Sequence, residues 1–146
     1  MVNYHNTNKR SELGMVKQKL ASDIRLAQNY SLGSKTYDGV NKPGGGWGVH
    51  FRNNLPSEYI IFADINGNLS YSANEARETK KLPAGVTINS FSPVKSNALD
   101  IIFYPPDPVI YINGAANANA IITLKENINN STAAVTVNSF GLIDTE

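Results

Sequence analysis

The side chains best suited to chemistry are two histidines, because the chain contains no cysteine. His5 and His50 lie in different predicted elements, and neither has a second histidine or a cysteine at the spacing of a zinc site. His50 with Asp64 and one of many serines would imitate a hydrolytic triad, but the Gly-x-Ser-x-Gly elbow is absent. The sequence therefore predicts no catalytic residue and no metal ligand.

Two polar segments resemble ligand loops only in part. Asp64, Asn66 and Asn68 alternate as calcium ligands do, yet the full loop pattern with its closing glutamate is missing. Asn66-Gly67 favours a tight turn, so we expect side-chain to backbone hydrogen bonds there. The glycine triplet in residues 42–46 lacks the lysine and helix of a phosphate loop, which predicts a wide turn and no cofactor.

Composition indicates one globular domain. The chain has 146 residues, 41% of them hydrophobic, and a net charge of +1. Such a charge gives no reason to expect a polyanionic partner. The sequence contains no run of about 18 apolar residues, so as it stands it does not predict a membrane span.

An amphipathic helix is predicted from Ser11 to Ser31. Its apolar residues recur at spacings of three and four, no proline interrupts it, and Gly33 is a stop signal just beyond it. Such a stripe must be buried against a sheet if the remainder is β-structure. The residues of this face are Leu13, Val16, Leu20, Ile24 and Ala27.

The rest of the chain reads as strands and turns. Strands are predicted at 47–51, 58–63, 69–71, 86–91, 98–104, 109–112, 120–125 and 133–138, with a last extended piece at 140–143. Residues 74–81 are predicted as a helical turn or a loop. We expect seven or eight short strands in all. Tight turns between them favour antiparallel pairing, hence an α+β fold with one long helix on antiparallel sheet.

These elements and several motifs resemble the minor pilins and pseudopilins of type IV pili and type II secretion systems, in the GspH/FimT-like group. The similar segments are Leu20–Ser31, Trp47–Val49, Tyr59–Asn68, Leu82–Val86, Ile101–Pro105 and Val135–Ile143. The resemblance implies a pilin-like fold, with residues 1–146 as a single ectodomain. Residues 1–33 would form its helical spine and residues 34–146 its β region.

The resemblance also implies a function. Such proteins are extracytoplasmic, non-enzymatic subunits that assemble with other pilins through the N-terminal helix. They are held in the inner membrane by an apolar segment before Val2, so we expect the gene to encode roughly 20 to 25 apolar residues upstream. Assembly would involve the apolar helix face, and we expect Leu13, Val16, Leu20 and Ile24 to divide between sheet contact and helix-bundle contact.

Two further implications concern ligands. Some members of the group bind DNA through a basic tail after the last glycine, but residues 141–146 contain two acids and neither lysine nor arginine. Nucleic acid is therefore not an expected partner. The alternative function is a ligand-binding β-domain at a filament tip, an adhesin or a glycan- or DNA-binding module, using loops Ser34–Gly46 and Asn113–Asn119.

Overall fold

The computed structural model describes residues 4–106 and 109–145, with side chains from Arg10 onward. Helix α1 (Tyr4–Leu32) comes first, and a short 3₁₀ turn lies at Ala73–Glu75. The nine strands in the described residues are β1 (Trp47–Arg52), β2 (Glu58–Ala63), β3 (Ala76–Lys81), β4 (Val86–Ser92), β5 (Ala98–Tyr104), β6 (Val109–Ile112), β7 (Ala120–Glu126), β8 (Thr132–Val137) and β9 (Ile143–Thr145).

The strands form two antiparallel sheets. The first has the order β3-β2-β1-β5-β6 and the second the order β4-β7-β8-β9. Helix α1 packs against strands of both sheets, and the three layers share one hydrophobic core. This confirms the α+β prediction of one N-terminal helix on antiparallel sheet. The number of strands was underestimated, since the described residues contain nine.

The helix begins at Tyr4, earlier than the predicted Ser11, and ends at Leu32. Gly33 directly follows the end of the helix, as predicted, but the residue in the left-handed conformation is Ser34, with φ 53°. The N–H of Ser34 donates to the carbonyl of Ser31 and that of Lys35 to the carbonyl of Tyr30. These bonds satisfy the last carbonyls of the helix, as in a Schellman motif.

Two predictions between residues 69 and 81 were wrong. Residues 69–71 form no strand, because the N–H groups of Leu69, Ser70 and Tyr71 donate to side-chain oxygens instead of a neighbouring strand. Residues Ala76–Lys81, predicted as a helical turn or loop, form edge strand β3 beside β2. Charged side chains on an edge strand protect its unpaired backbone from other chains, and here they hid the strand pattern.

The segment before β3 covers the outer face of the first sheet. Ile60, Phe62 and Ile102 form a small second core on the face turned away from the helix. Leu69 and Tyr71 pack over it. We call residues 64–75, which connect β2 to β3, the lid of this face.

Replacement of Leu20 by alanine tests the packing of the helix. Leu20 is fully buried, so we expect Leu20→Ala to lower the free energy of unfolding by about 2–5 kcal/mol. Met15→Ala is the matched control on the same helix, because Met15 is 72% exposed, and it should change stability by less than about 0.5 kcal/mol. Urea unfolding followed by circular dichroism measures both. Equal stabilities would contradict the packed position of α1.

Candidate functional site

The predicted assembly face of α1 lies entirely against the β-sheets. All five of its residues are buried, and the side chains of the last three are completely covered: Leu13, Val16, Leu20, Ile24 and Ala27. The expected division between sheet contact and helix-bundle contact is therefore not seen in this domain. Any role of these residues in assembly stays a prediction, and here they fix the helix on the core.

The opposite face of α1 is exposed from Arg10 to Leu32. Its solvent-accessible residues are Arg10, Ser11, Met15, Gln18, Lys19, Ser22, Arg25, Asn29 and Leu32. Most are polar or small, and Met15 and Leu32 add apolar area. This face is the part of the helix that another protein can contact.

A buried polar contact sets the rotation of the helix about its axis. Tyr59 of β2 donates its hydroxyl to Asp23 at 2.6 Å, and Lys19 donates to the same carboxylate at 2.7 Å. Burial raises the pKa of the Tyr59 hydroxyl, and the Asp23 carboxylate raises it further. Sequence reasoning placed Asp23 mostly off the apolar stripe. Its position seven residues after Val16, hence on the same side of the helix, was the available signal.

Other side chains attach the helix to both sheets. Ser31 accepts the backbone N–H of Trp47 at 2.8 Å, and Tyr30 donates to Glu78 of β3 at 2.9 Å. On the second sheet, Arg25 donates to the carbonyl of Ile143 at 2.9 Å, and Gln28 to that of Gly141 at 3.2 Å. The helix is thus held along both flanks, so its exposed face has one fixed direction.

A groove of about 580 Å³ runs between α1 and the β3 edge. We call it the α1–β3 groove. Its lining is mainly apolar, from Met15, Val16, Tyr59, Leu82 and Pro83, with lysines Lys19, Lys80 and Lys81. Two acidic residues, Glu12 and Asp23, also line it, and both are engaged within the molecule. The volume lies within the range of roughly 300–1,000 Å³ that is typical of ligand-sized pockets.

The Asp64 turn has the hydrogen bonds predicted for it. Asp64 Oδ2 accepts the N–H of Leu69 at 2.8 Å, and Asn66 Oδ1 accepts that of Asn68 at 3.1 Å. The glycine triplet packs on this turn, since a side chain at Gly45 would overlap the Asp64 carboxylate. Residues 42–46 therefore support the turn, and their backbone packs against other residues of the protein.

His50 pairs with Asp100, so the triad that Asp64 would have completed is not assembled. His50 Nδ1 is hydrogen-bonded to Asp100 Oδ1, and the imidazole stacks on Tyr71 with ring centres 4.0 Å apart. Its Nε2 is buried and has no partner in the described residues. Sequence reasoning missed this pair, although a lone acid inside the apolar run of β5 was a signal. A cavity of about 290 Å³ lies beside it, lined in part by Asn113 and Gly114.

Burial raises the pKa of two acidic side chains near the Asp64 turn. Burial raises the pKa of Asp64; three backbone N–H groups partly offset this, and the Asp100 carboxylate adds to it. Burial also raises the pKa of Glu75, which accepts the N–H groups of Ile65 and Ser72. In the described part of the chain, no three His, Cys, Asp or Glu side chains come together as a metal site would need.

The two loops of the alternative function lie in different surroundings. Ser34–Gly46 packs on the Asp64 turn through its glycines, whereas Asn113–Asn119 borders the His50 cavity. Residues Ile143–Thr145 form strand β9, paired with β8. Within residues 4–106 and 109–145, no helix has the length and apolar content that crossing a bilayer requires.

A protein-family model matches most of the chain. The model, described as type II transport protein GspH, covers residues 18–141, from within α1 to the glycine before β9. No curated protein and no solved structure matches the chain. The matched region contains the C-terminal half of α1, strands β1–β8 and the turns between them.

The Asp64 pKa predicts a pH dependence that Asp64→Asn should weaken. A carboxyl whose pKa is higher in the folded than in the unfolded state stabilises the fold most below its unfolded pKa of about 3.9. That contribution is lost as the pH rises through the folded value. Relative to Asp64→Asn, the wild-type protein should therefore lose stability above about pH 4.

Urea unfolding between about pH 3.5 and 7 measures this difference. Asparagine keeps an oxygen for the N–H of Leu69, and the Glu75 contribution is common to both proteins. Asp38→Asn, on an exposed loop carboxyl whose pKa is lowered, should change the pH dependence in the opposite direction. Parallel curves for wild type and Asp64→Asn would contradict the raised pKa.

Proposed function

Because the chain belongs to the GspH family of type II transport proteins, we propose that it is a non-enzymatic minor pseudopilin. It assembles with other pseudopilins into the pseudopilus of a type II secretion system, or primes that filament. The observation that supports this most directly is the fixed helix: α1 is anchored by its buried face and exposes the other face from Arg10 to Leu32. A filament subunit needs such a rigid, outward-facing rod.

Extracytoplasmic location and membrane anchoring form part of the same proposal. In it, the subunit is held in the inner membrane before assembly by an apolar segment that precedes Val2 in the gene. Nucleic acid is not a proposed partner, since residues 141–146 contain no lysine or arginine for phosphate contacts. The related filament in which the same assembly would occur is a type IV pilus.

The alternative, a ligand-binding domain at a filament tip, has one supporting observation. Asn113 and Gly114 of the predicted loop border the His50 cavity, and Nε2 of His50 has no hydrogen-bond partner among the residues that the structure describes. Glycan arrays and DNA gel shifts with the isolated chain test this function. A specific ligand whose binding is lost in Asn113→Ala would favour it over assembly alone.

The exposed helix face should be needed for assembly. Ser22 is exposed on α1, so Ser22→Arg places a large cation where a neighbouring helix would pack, without entering the core. We expect this variant of the full-length protein to lose co-purification with other pseudopilins, while its free energy of unfolding changes by less than about 0.5 kcal/mol.

Ser90→Arg is the matched control, because Ser90 is exposed on β4, away from the helix. It should leave co-purification unchanged. If Ser22→Arg assembles as well as the wild type, the exposed face of α1 is not the assembly surface. If neither variant nor the wild type co-purifies with pseudopilins, the proposed function itself is wrong.

A further inference from the structure

A rigid turn between β8 and β9 presents two large apolar side chains to solvent. We call residues Asn138–Leu142 the apolar turn. Phe140 is 90% exposed and Leu142 is 62% exposed. Large side chains standing this far into water in one short turn are typical of a contact surface.

The conformation of the apolar turn is fixed by hydrogen bonds. Asn138 Oδ1 accepts the N–H groups of Phe140 at 2.9 Å and Leu142 at 3.0 Å, while Gly141 has φ 83°. Gln28 of α1 donates to the carbonyl of Gly141. Because the turn is already ordered, little conformational entropy is lost when its side chains are buried by a partner.

The α1–β3 groove is a recess of complementary character. It is apolar, and among its lysines Lys81 forms no ion pair in the described residues, whereas Lys19 and Lys80 are paired with Asp23 and Glu78. Directly after the apolar turn, Asp144 is exposed and likewise forms no ion pair there. Apolar side chains flanked by a carboxylate thus match an apolar groove flanked by a lysine.

The two surfaces lie on opposite flanks of the helix. Gln28 borders the apolar turn and Lys19 borders the groove, and nine residues of α-helix correspond to a rotation of about 180°. Helix α1 lies between them, so the turn does not reach the groove of its own molecule. Each is therefore available to a second molecule.

We propose that the apolar turn of one copy of this chain docks in the α1–β3 groove of a second copy. Phe140 and Leu142 enter the groove, and Asp144 approaches Lys81. Such a contact is heterologous, since the two copies use different surfaces: one contributes its apolar turn and the other its α1–β3 groove. This inference rests on the proposed assembly function and deepens it by naming a neighbour and a contact.

Disulfide trapping between copies tests the geometry, since the full chain has no cysteine of its own. Met15→Cys places a thiol in the groove and Leu142→Cys places one on the apolar turn; both positions are exposed. On oxidation, a mixture of the two single variants should yield mainly the mixed dimer. Ile128→Cys, exposed at the β7–β8 turn, replaces Leu142→Cys as the matched control and should yield several-fold less.

Self-association measured by sedimentation velocity tests the chemistry. Phe140→Ala should weaken it at least about tenfold, as expected for an aromatic anchor. Asp144→Lys should weaken it about two- to fivefold, and the added change Lys81→Asp should restore it. Thermal unfolding of each variant verifies folding, which the exposure of all three side chains should preserve.

Several results would overturn the inference. The first is a wild-type chain that stays monomeric up to about 1 mM, the affinity limit of a weak specific contact. The second is equal disulfide trapping with Ile128→Cys. The third is a predominance of Leu142–Leu142 dimers, which indicate a symmetric contact. If self-association fails while the full-length protein still co-purifies with pseudopilins, the proposed function stands and only the second copy as neighbour is excluded.

Discussion

The burial of one face of α1 between two sheets is the constraint on which this fold depends. Each fully covered aliphatic side chain of that face contributes about 1.5–3 kcal/mol, and Leu20 and Ile24 are completely covered. Strands from both sheets contact the helix. The helix therefore joins the two sheets into one core, and every surface described above is positioned relative to it.

Polar contacts turn this packing into a unique orientation. Apolar packing alone tolerates small rotations of a helix, whereas a buried carboxylate has to meet its donors. Asp23 meets Tyr59 and Lys19 on one flank, and Arg25 and Gln28 bind backbone carbonyls on the other. As a result, the exposed face, the α1–β3 groove and the apolar turn are held in one arrangement, which a subunit of a regular filament requires.

Buried acidic side chains organise the segment that covers the outer face of the first sheet. Asp64 and Glu75 each accept backbone N–H groups of the lid over that face, so their burial organises a stretch that lacks regular structure. The raised pKa of both carboxyls is the electrostatic cost of that arrangement. The His50–Asp100 pair lies under the same lid, where Tyr71 stacks on the imidazole.

The helix, seven of the nine strands in the described residues and the class of fold could be predicted from the sequence, because spacings of three to four and of two are local properties of the chain. The sequence also indicated the family, through motifs in order along the chain. It did not show β3, since charges on an edge strand hide the alternation. It also did not show the lid, whose backbone N–H groups donate to nearby side chains such as Asp64 and Glu75 and to Asp100, which is distant in sequence. The tertiary structure was needed to show that Asp23 lies on the buried side of the helix, that His50 meets Asp100, and that the apolar turn and the groove lie on opposite flanks. These are relations between segments far apart in the chain, and they exist only once the two sheets have packed against one face of the helix.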